Sequence, residues 1–411
     1  MGEIPVVMAS AIYTRPGEVV LEERPVPEPG PGQVLVEVGH CGICGSDIHM
    51  ILEGWGTPGR VEGHEWSGVV SAVGPDVERW SRGDKVVGGP SPRCGHCRRC
   101  REGQPSQCEN RGRSMSEGPA LDGAFAEYVL VDARQLLAVP DGLSSRAAAL
   151  AEPLAVALHG ITRAHIVEGD SVMVIGAGPI GALSVAVLVA RGVGPITVVE
   201  PGESRRHLAA ELGADTVLDP GDLEVFPQWE PERIAEGAVD VVLECSGKKV
   251  AMEAGFCRLR RGGRMVMVGA GIEAPTFDPN RMLLNELTVC GSFVYDADGF
   301  DRALELLASD GFPLDALIAP DDVPLDRLVD TMHGARLDHY GLAVGTLDEL
   351  VAARDRARAF GEKDPRVDLI DVIVDDHVVV KIHSIYVGFL LPMMCELQFW
   401  EFPATSPLTV S

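Results

Sequence analysis

The sequence predicts an α/β protein in three parts: a mostly-β first part, a parallel sheet covered by helices, and a C-terminal α+β extension. Three observations lead to this expectation. Short β-branched runs separated by Gly and Pro fill residues 1–150, strands and helices then alternate regularly, and the pattern changes again after residue 335. A chain of 411 residues, 46% of them hydrophobic, suits two or three domains. We place these domains at 1–155 (completed by about 295–335), 156–294 and 336–411.

The first part is expected to be rich in strands. Four stretches combine β-branched or aromatic residues with flanking turn residues, which predicts strands at 33–44, 66–74, 84–89 and 124–132. The stretch that follows, "SSRAAALAEPLAVALHGITRA" at 144–164, has the composition of a helix.

The second part alternates strands with helices, the pattern of a parallel sheet with both faces covered. The predicted strands are 171–176, 196–200, 216–219, 240–247, 262–269 and 287–293. Helices are expected from about 179, near 204–212, between the fourth and fifth strands, and at 297–309 and 325–334.

The charge balance excludes several classes of partner. The chain has 61 acidic against 35 basic residues and a net charge of −26. Binding to nucleic acid or to an acidic membrane requires a basic surface, so neither is expected. The apolar stretch 171–190 is interrupted by Gly and Pro, which argues against a membrane span. The N-terminus lacks a basic start followed by a long apolar run, so we expect a cytoplasmic protein.

Residues 94–108, "CGHCRRCREGQPSQC", hold four cysteines in fifteen positions: Cys94, Cys97, Cys100 and Cys108. Four thiolates this close can enclose one tetrahedral Zn²⁺, whereas disulfides between neighbours so close in sequence would be strained. A disulfide framework is the alternative, but such frameworks belong to short secreted chains. The spacing therefore predicts a closed structural zinc site.

A glycine-rich turn directly follows the apolar strand 172–175 and opens a helix. Its G-x-G-x-x-G residues are Gly176, Gly178, Pro179, Ile180 and Gly181. The first glycine makes the tight turn, the second lets a pyrophosphate approach, and the third lets helix and strand pack closely. The helix N-terminus would bind the phosphates, so the motif predicts a Rossmann dinucleotide site.

The choice of dinucleotide is expected to depend on Glu200, which ends the next strand 24 residues after Gly176. An acidic residue there accepts hydrogen bonds from the ribose 2′-hydroxyl and repels a 2′-phosphate, which favours NAD over NADP. Arg205 and Arg206 follow closely and weaken this choice unless they are exposed helix charges. We count Arg205 among the cofactor-binding candidates.

Two further stretches, "HCGICGSDIH" and "EGHEWSG", contain metal-ligand residues outside the four-cysteine cluster. Cys44 and His64 are an S/N pair suited to zinc, with Glu65 and Glu152 as oxygen ligands. Fewer than four protein ligands would leave a position for a water or a substrate oxygen. The alternative is a buried cysteine and a structural histidine.

The first of these stretches also contains Ser46 and His49. Both side chains can pass a proton between a buried site and solvent. The alternative is that each serves as a turn or cap residue.

The combination of motifs resembles the zinc-dependent medium-chain alcohol and polyol dehydrogenases over about residues 8–335. The matching stretches, in the family's order, are "GICGSDIH", "GHEWSGVV", "GDKVV", "CGHCRRCREGQPSQC", "EPLAVALHG" and "VIGAGPIG". The resemblance implies a GroES-like catalytic domain, a Rossmann domain, NAD, and two zinc ions per chain, one catalytic and one structural.

The resemblance also assigns the catalytic site. It implies that Cys44, rather than Cys41, binds zinc with His64, and it leaves open whether Glu65 or Glu152 is the resting ligand. Glu65 is also counted among the catalytic residues. The acidic residue at Glu152 favours a polyol, sugar, amino alcohol or secondary alcohol as substrate.

The resemblance implies a reaction in which zinc acts as a Lewis acid on the substrate hydroxyl and hydride passes to the nicotinamide. Ser46, followed by ribose hydroxyls and His49, would carry the proton out. In the family the structural-zinc lobe lies near a subunit contact, and we expect a homodimer or homotetramer.

The chain departs from the family after residue 335, where the usual final Gly-Lys-Val strand is missing. Residues 336–411 are predicted to form a strand with a histidine, a helix, and then three strands that end in an acidic residue. This order is similar to one βαβββ module of the vicinal oxygen chelate (glyoxalase-like) family. His339 and Glu396 would match that family's metal ligands. We favour a non-catalytic extension that packs or pairs between subunits, in which "GLAVG" substitutes for the missing strand.

The sequence leaves three functions open. The first is a zinc- and NAD-dependent dehydrogenase. The second is a catalytically silent nucleotide-binding or redox-sensing member of the fold, and the third is a dehydrogenase fused to a glyoxalase-like module. Silent members would usually have lost Cys44, His64 or Ser46, and all three are present.

Overall fold

The computed structural model describes residues 3–89, 94–110, 122–223, 230–271, 273–339, 367–374 and 377–385. The chain divides into two compact units, Met1–Met332 and His333–Ser411.

The first unit begins with an antiparallel hairpin of β1 (Val7–Arg15) and β2 (Glu18–Pro25). A five-stranded antiparallel sheet follows, in the order β6-β3-β4-β5-β7. Its strands are β3 (Gln33–Gly42), β4 (Glu65–Val73), β5 (Lys85–Gly88), β6 (Tyr128–Asp132) and β7 (Leu137–Ala138). Period-2 alternation places Val34, Val36 and Val70 in one buried cluster with the ring of Trp66.

Four helices of this region connect the strands or leave the sheet. They are α1 (Gly45–Leu52), α2 (Arg98–Arg101), α3 (Ser145–Ala148) and α4 (Ala151–Arg163). The stretch 144–164, predicted to be helical, is helical in the structure, which divides it into α3 and α4. Pro153 has no N–H to donate and is tolerated only in a first helical turn, so a new helix starts just before it.

A six-stranded parallel sheet forms the second half of this unit, in the order β10-β9-β8-β11-β12-β13. The strands are β8 (Val172–Ile175), β9 (Ile196–Val199), β10 (Thr216–Leu218), β11 (Val239–Glu244), β12 (Leu259–Met267) and β13 (Thr288–Gly291). The connecting helices are α5 (Pro179–Ala190), α6 (Glu203–Glu211), α7 (Lys249–Cys257) and α8 (Pro279–Leu284). Strands β9 and β10 lie on one side of β8, and β11, β12 and β13 lie on the other. The strand order therefore changes direction between β8 and β11, which is where sheets of this order bind ligands.

The two sheets share one hydrophobic core. It includes Val87 of β5, Leu154 and Leu158 of α4, and Val174 of β8. Helix α4 packs against β4, α5 and β12, so it connects the antiparallel and the parallel sheet. Helices α9 (Gly299–Leu307), α10 (Leu314–Leu317) and α11 (Leu328–His339) follow. The predicted fold class, with a β-rich domain and a Rossmann-type parallel sheet, is confirmed.

Three details differ from the sequence-based expectation. The hairpin of β1 and β2 was not predicted. The predicted strand 33–44 ends at Gly42, because Cys44 caps a helix. The predicted strand around His339 is wrong: this residue ends α11, whose Met, Ala, Arg and Leu residues favour a helix.

The second unit contains an antiparallel pair, β14 (Val367–Val374) and β15 (His377–Ile385). Both lie in stretches that the sequence predicts to be strands. The "GLAVG" segment, the helix expected after it, and Glu396 lie outside the described residues.

Candidate functional site

The four cysteines of residues 94–108 lie together, with their sulfur atoms within 4.8 Å of one another. Cys94, Cys97 and Cys108 are buried, and Cys100 is half-buried. All four are free thiols, and the 3.8 Å between Sγ of Cys94 and Cys100 is too long for a disulfide. Two sulfurs already accept backbone hydrogen bonds: Cys97 N–H donates to Cys94 (3.2 Å) and Cys100 N–H to Cys97 (3.5 Å).

These hydrogen bonds stabilise negative charge on the sulfur atoms, which favours binding of a cation. Although burial opposes ionisation of Cys94, hydrogen bonds from Asn110 and from the backbone lower its pKa to about 5. Burial and the neighbouring sulfurs raise the pKa of Cys100 to about 12. Thiolates held this close repel one another unless a metal neutralises them, so this donor set fits one tetrahedral Zn²⁺.

The second predicted cluster forms where β3 and β4 meet. Gly42 of β3 pairs with Glu65 of β4, so the residues just beyond these two positions become neighbours. Cys44 lies two residues beyond Gly42, at the N-cap of α1, and His64 immediately precedes β4. Ligand atoms of Cys44, His64 and Glu65 all lie within 4.8 Å of one another.

Asp47 was not among the predicted site residues, and the structure places it between two of them. It is fully buried in the first turn of α1. Its Oδ2 accepts a hydrogen bond from Cys44 N–H (2.9 Å). Its Oδ1 lies 3.4 Å from His64 Nδ1 without forming a hydrogen bond. The signal in the sequence was an acid three residues after the N-cap, the position that caps a helix reciprocally.

Burial and neighbouring charges shift the pKa values of all three residues of this cluster. Burial raises the pKa of Cys44. Burial also raises the pKa of Glu65, to about 7, although His64 opposes the shift. For His64 burial lowers the pKa, but the contacts with Asp47 and Cys44 prevail and raise it well above its usual value. A dication would supply the charge that stabilises the thiolate and carboxylate forms, so the donor set fits Zn²⁺.

Glu152 is not a member of this three-residue group. It is buried in the first turn of α4, with 4% of its surface exposed. The group with mutual distances under 4.8 Å contains Glu65 instead. Cys41 does not belong to the group either, and burial raises the pKa of its thiol well above the usual value.

Ser46 and His49 lie one turn apart on α1, on the same side of the helix. Ser46 Oγ is 3.4 Å from His64 Nε2. His49 Nδ1 is 2.7 Å from the Glu53 carboxylate, and its ring stacks on Trp55. Glu53 was not predicted, although its i,i+4 spacing from His49 was visible in the sequence.

The glycine turn has the geometry that each of its glycines requires. Gly176 adopts φ +89°, a conformation that side chains strongly disfavour. A Cβ at Gly181 would clash with the Gly176 carbonyl, whereas a Cβ at Gly178 would meet nothing within 4 Å. Pro179 is the first residue of α5, and Ile180 follows it. The second glycine therefore faces open space at a helix N-terminus, as a phosphate site needs.

Glu200 follows β9 and is buried beside this turn. Its carboxylate accepts hydrogen bonds from Ala177 N–H (2.7 Å) and Gly202 N–H (2.8 Å). Arg206 is held by the Glu200 carbonyl oxygen (2.8 Å) and by the Asp219 carboxylate (2.9 Å). Arg205 is half-buried and forms no ion pair within the described part of the chain.

Two family profiles match the two halves of this architecture. Residues 30–141 match the alcohol dehydrogenase GroES-like domain, and residues 179–309 match the zinc-binding dehydrogenase domain. The 2-dehydro-3-deoxy-L-galactonate 5-dehydrogenase of Pseudoalteromonas atlantica is 37% identical over 295 residues, 71% of this chain and 84% of that protein. Sorbitol dehydrogenase of Bacillus subtilis is 31% identical over 339 residues, 81% of this chain and 94% of that protein.

The chain belongs to the zinc-dependent medium-chain alcohol and polyol dehydrogenase family. It is therefore an oxidoreductase that acts on a small alcohol or polyol.

Solved structures of this family agree with the fold. A protein described as a zinc-binding dehydrogenase from Sinorhizobium meliloti, bound to NADP, is 32% identical with a TM-score of 0.69. That match covers 79% of this chain and 95% of the other. Acetophenone reductase from Geotrichum candidum, in complex with NAD, is 25% identical with a TM-score of 0.70, over 82% and 95% of the two chains.

Among the described residues, no helix combines the length and the apolar composition that crossing a bilayer would require.

Proposed function

We propose that this dehydrogenase oxidises a secondary alcohol, polyol, sugar or amino alcohol to the carbonyl compound and transfers hydride to NAD. The observation that carries the proposal is the Cys44, His64 and Glu65 cluster, which lies in the same compact unit as the glycine turn of β8 and α5. A mixed S/N/O set with fewer than four ligands is typical of catalytic zinc, which keeps a position open for substrate.

Two zinc ions per chain are part of this proposal. Cys94, Cys97, Cys100 and Cys108 would hold the structural ion. Cys44, His64 and Glu65 would hold the catalytic ion at rest, with Glu152 as the alternative carboxylate. Zinc, when bound, supplies a Lewis acid that polarises the substrate hydroxyl and lowers its pKa.

The protein's own residues would position the substrate and move its proton. Asp47 orients His64 from the buried side, because its carboxylate faces Nδ1 of that ring. Ser46 lies within reach of the same histidine and accepts the substrate proton first. His49, one turn further along α1, passes the proton to solvent.

The preference for NAD rests on Glu200. Its carboxylate is already fixed by two backbone hydrogen bonds, so it cannot swing away from a 2′-phosphate. An immobile charge facing a phosphate costs both repulsion and desolvation. Arg205 is the residue that would oppose this preference, since Arg206 is bound elsewhere.

The proposed substrate class is inferred from the names of the relatives. One relative is named for a sugar acid and another for sorbitol, and both alignments extend over most of those proteins. We propose a polyhydroxylated or secondary alcohol for this chain as well. A panel of polyols, sugar acids, amino alcohols and secondary alcohols, assayed for NADH formation, tests this. Metal analysis of the same preparation should give two zinc ions per chain.

No NADH from any substrate, with two zinc ions bound and NAD binding intact, would instead support a catalytically silent member of the fold. Fewer than two zinc ions in unchelated protein would contradict the metal assignment.

We also propose a homodimer or homotetramer in the cytoplasm. Leu283, Leu284 and Phe293 are exposed beside β13, which is the edge strand of the parallel sheet. An unpaired edge strand is a template for pairing with another chain, and exposed apolar residues beside it mark an interaction surface. The nine described cysteines are free, which suits a reducing compartment.

For residues 336–411 we propose a non-catalytic extension that packs or pairs between subunits. The apolar strands β14 and β15 support this, because they need burial. The alternative is a glyoxalase-like module with its own metal site. His339→Ala combined with Glu396→Ala should leave alcohol oxidation within about twofold of wild type. Loss of oxidation in a folded, assembled double variant would favour the alternative.

A further inference from the structure

An acidic side chain outside the metal cluster contacts the histidine of the proposed proton path. His49 and Glu53 occupy i,i+4 positions at the end of α1, which places their side chains on the same face. His49 Nδ1 lies 2.7 Å from Glu53 Oε2. The side chains are only 12% and 13% exposed, so solvent screens this contact far less than a surface ion pair.

Trp55 fixes the same imidazole from one face. The two ring centroids are 4.9 Å apart, with an angle of 19° between the planes. The chain turns back at this point, since the N–H groups of Glu53 and Trp55 both donate to the His49 carbonyl oxygen. The imidazole is thus held at one edge by a carboxylate and at one face by an indole, and both contacts stabilise a positive charge on it.

The contact with Glu53 sets which ring nitrogen of His49 carries hydrogen. An ionised carboxylate only accepts hydrogen bonds, so the proton of a neutral His49 is on Nδ1. Nε2 then has a free lone pair. Within the described part of the chain, no hydrogen bond to Nε2 of His49 is found.

We propose that Glu53 is a positioning residue for proton release. It holds His49 in the Nδ1–H tautomer, so that Nε2 can accept the hydroxyl proton of the alcohol that is being oxidised. This inference rests on the proposed function. As hydride passes from the substrate carbon to NAD, the hydroxyl proton passes through Ser46 to Nε2 of His49. The resulting imidazolium is stabilised by Glu53 and Trp55 until Nε2 gives the proton to water.

A double-mutant cycle in the full-length, zinc-loaded enzyme tests this role. Glu53→Gln keeps the size of the side chain and removes its charge, and should lower kcat about tenfold while KM stays within about twofold. In the His49→Ala background the same substitution should have no further effect, because Glu53 acts through His49. Glu305→Gln, the same change at an exposed position of α9, is the matched control and should leave kcat unchanged.

Either of two results would overturn the proposal: an unchanged kcat in Glu53→Gln, or an equal loss with and without His49. The second result would show that Glu53 only supports the helix.

A second measurement does not depend on turnover. In protein labelled with ¹⁵N-histidine, the His49 resonances, assigned with His49→Asn, should report the Nδ1–H tautomer. They should shift towards Nε2–H in Glu53→Leu, which can accept no hydrogen bond. An Nε2–H tautomer in the wild type would refute the positioning role. Failure of the proposed function would appear separately, as wild-type protein that oxidises no alcohol.

Discussion

Replacing Asp47 by Asn should weaken zinc binding at the catalytic cluster without removing any ligand. Asp47 is fully buried and uses its two oxygens in two directions, towards Cys44 N–H at 2.9 Å and His64 Nδ1 at 3.4 Å. An amide has one acceptor oxygen, so its NH₂ group must face one of these two N–H groups. The variant therefore loses the charge and one of the two acceptors.

The size of the effect follows from these contacts. Disrupting the carboxylate partner of a metal-bound histidine typically costs about 10- to 100-fold in metal affinity. Because the His64 contact is long, we expect the lower part of this range, about 10- to 30-fold, which corresponds to about 1.4–2 kcal/mol.

Competition with a chelator of known affinity measures this change, with the zinc at the four cysteines as an internal reference. Asp170→Asn is the matched control: Asp170 is also buried, but its partners are Val167 N–H and Arg264. The control should lose stability and keep its zinc affinity. If Asp47→Asn bound zinc as tightly as wild type, the orientation of His64 by Asp47 would be refuted.

Four further predictions concern the zinc ligands, the cofactor site and the C-terminal extension. Cys44→Ser should abolish turnover and leave NAD binding within about twofold in a fluorescence titration; residual turnover near wild type would contradict the ligand assignment. Cys100→Ser should lose one zinc ion and either lower the melting temperature or disturb assembly. Loss of activity in a fully assembled variant would contradict the assignment of the four cysteines to a structural zinc site. The kcat/KM with NAD should exceed that with NADP by at least about tenfold. Glu200→Gln retains an acceptor for Ala177 N–H and should lower this ratio. Equal kcat/KM with NADP in the wild type would indicate that Arg205 binds the 2′-phosphate. Deletion of residues 336–411 should cause aggregation or loss of the native oligomer in size-exclusion chromatography, whereas a soluble, assembled and active truncation would show that the extension is dispensable.

Continuous apolar runs in the sequence predicted most strands of the parallel sheet, because such strands are buried on both faces. Helix boundaries were harder to predict where residues that favour a helix stand beside residues that end it or favour a strand. The run at 144–164 contains good helix formers throughout, yet Pro153 starts a new helix within it. The stretch ending in Cys44 is β-branched and apolar, but the Asp47 carboxylate binds the Cys44 N–H and begins α1 there.

The sequence by itself determined the residue types and the close groupings. Cys94, Cys97, Cys100 and Cys108 are so near in sequence that a chain turn can bring them together, and G-x-G-x-x-G lies on one turn for the same reason. Local geometry suffices where the partners are local.

The tertiary structure decided the contacts between residues that are distant in sequence. Cys44 and His64 are neighbours only because β3 and β4 pair with Gly42 opposite Glu65. Glu152 belongs to α4, whose position depends on packing against both sheets, so no spacing rule could tell whether it or Glu65 would join the cluster. Asp47 and Glu53 gained their roles from burial and orientation. A sequence pattern states which side chains are present, whereas strand register and helix packing set the distances on which ligation and proton transfer depend.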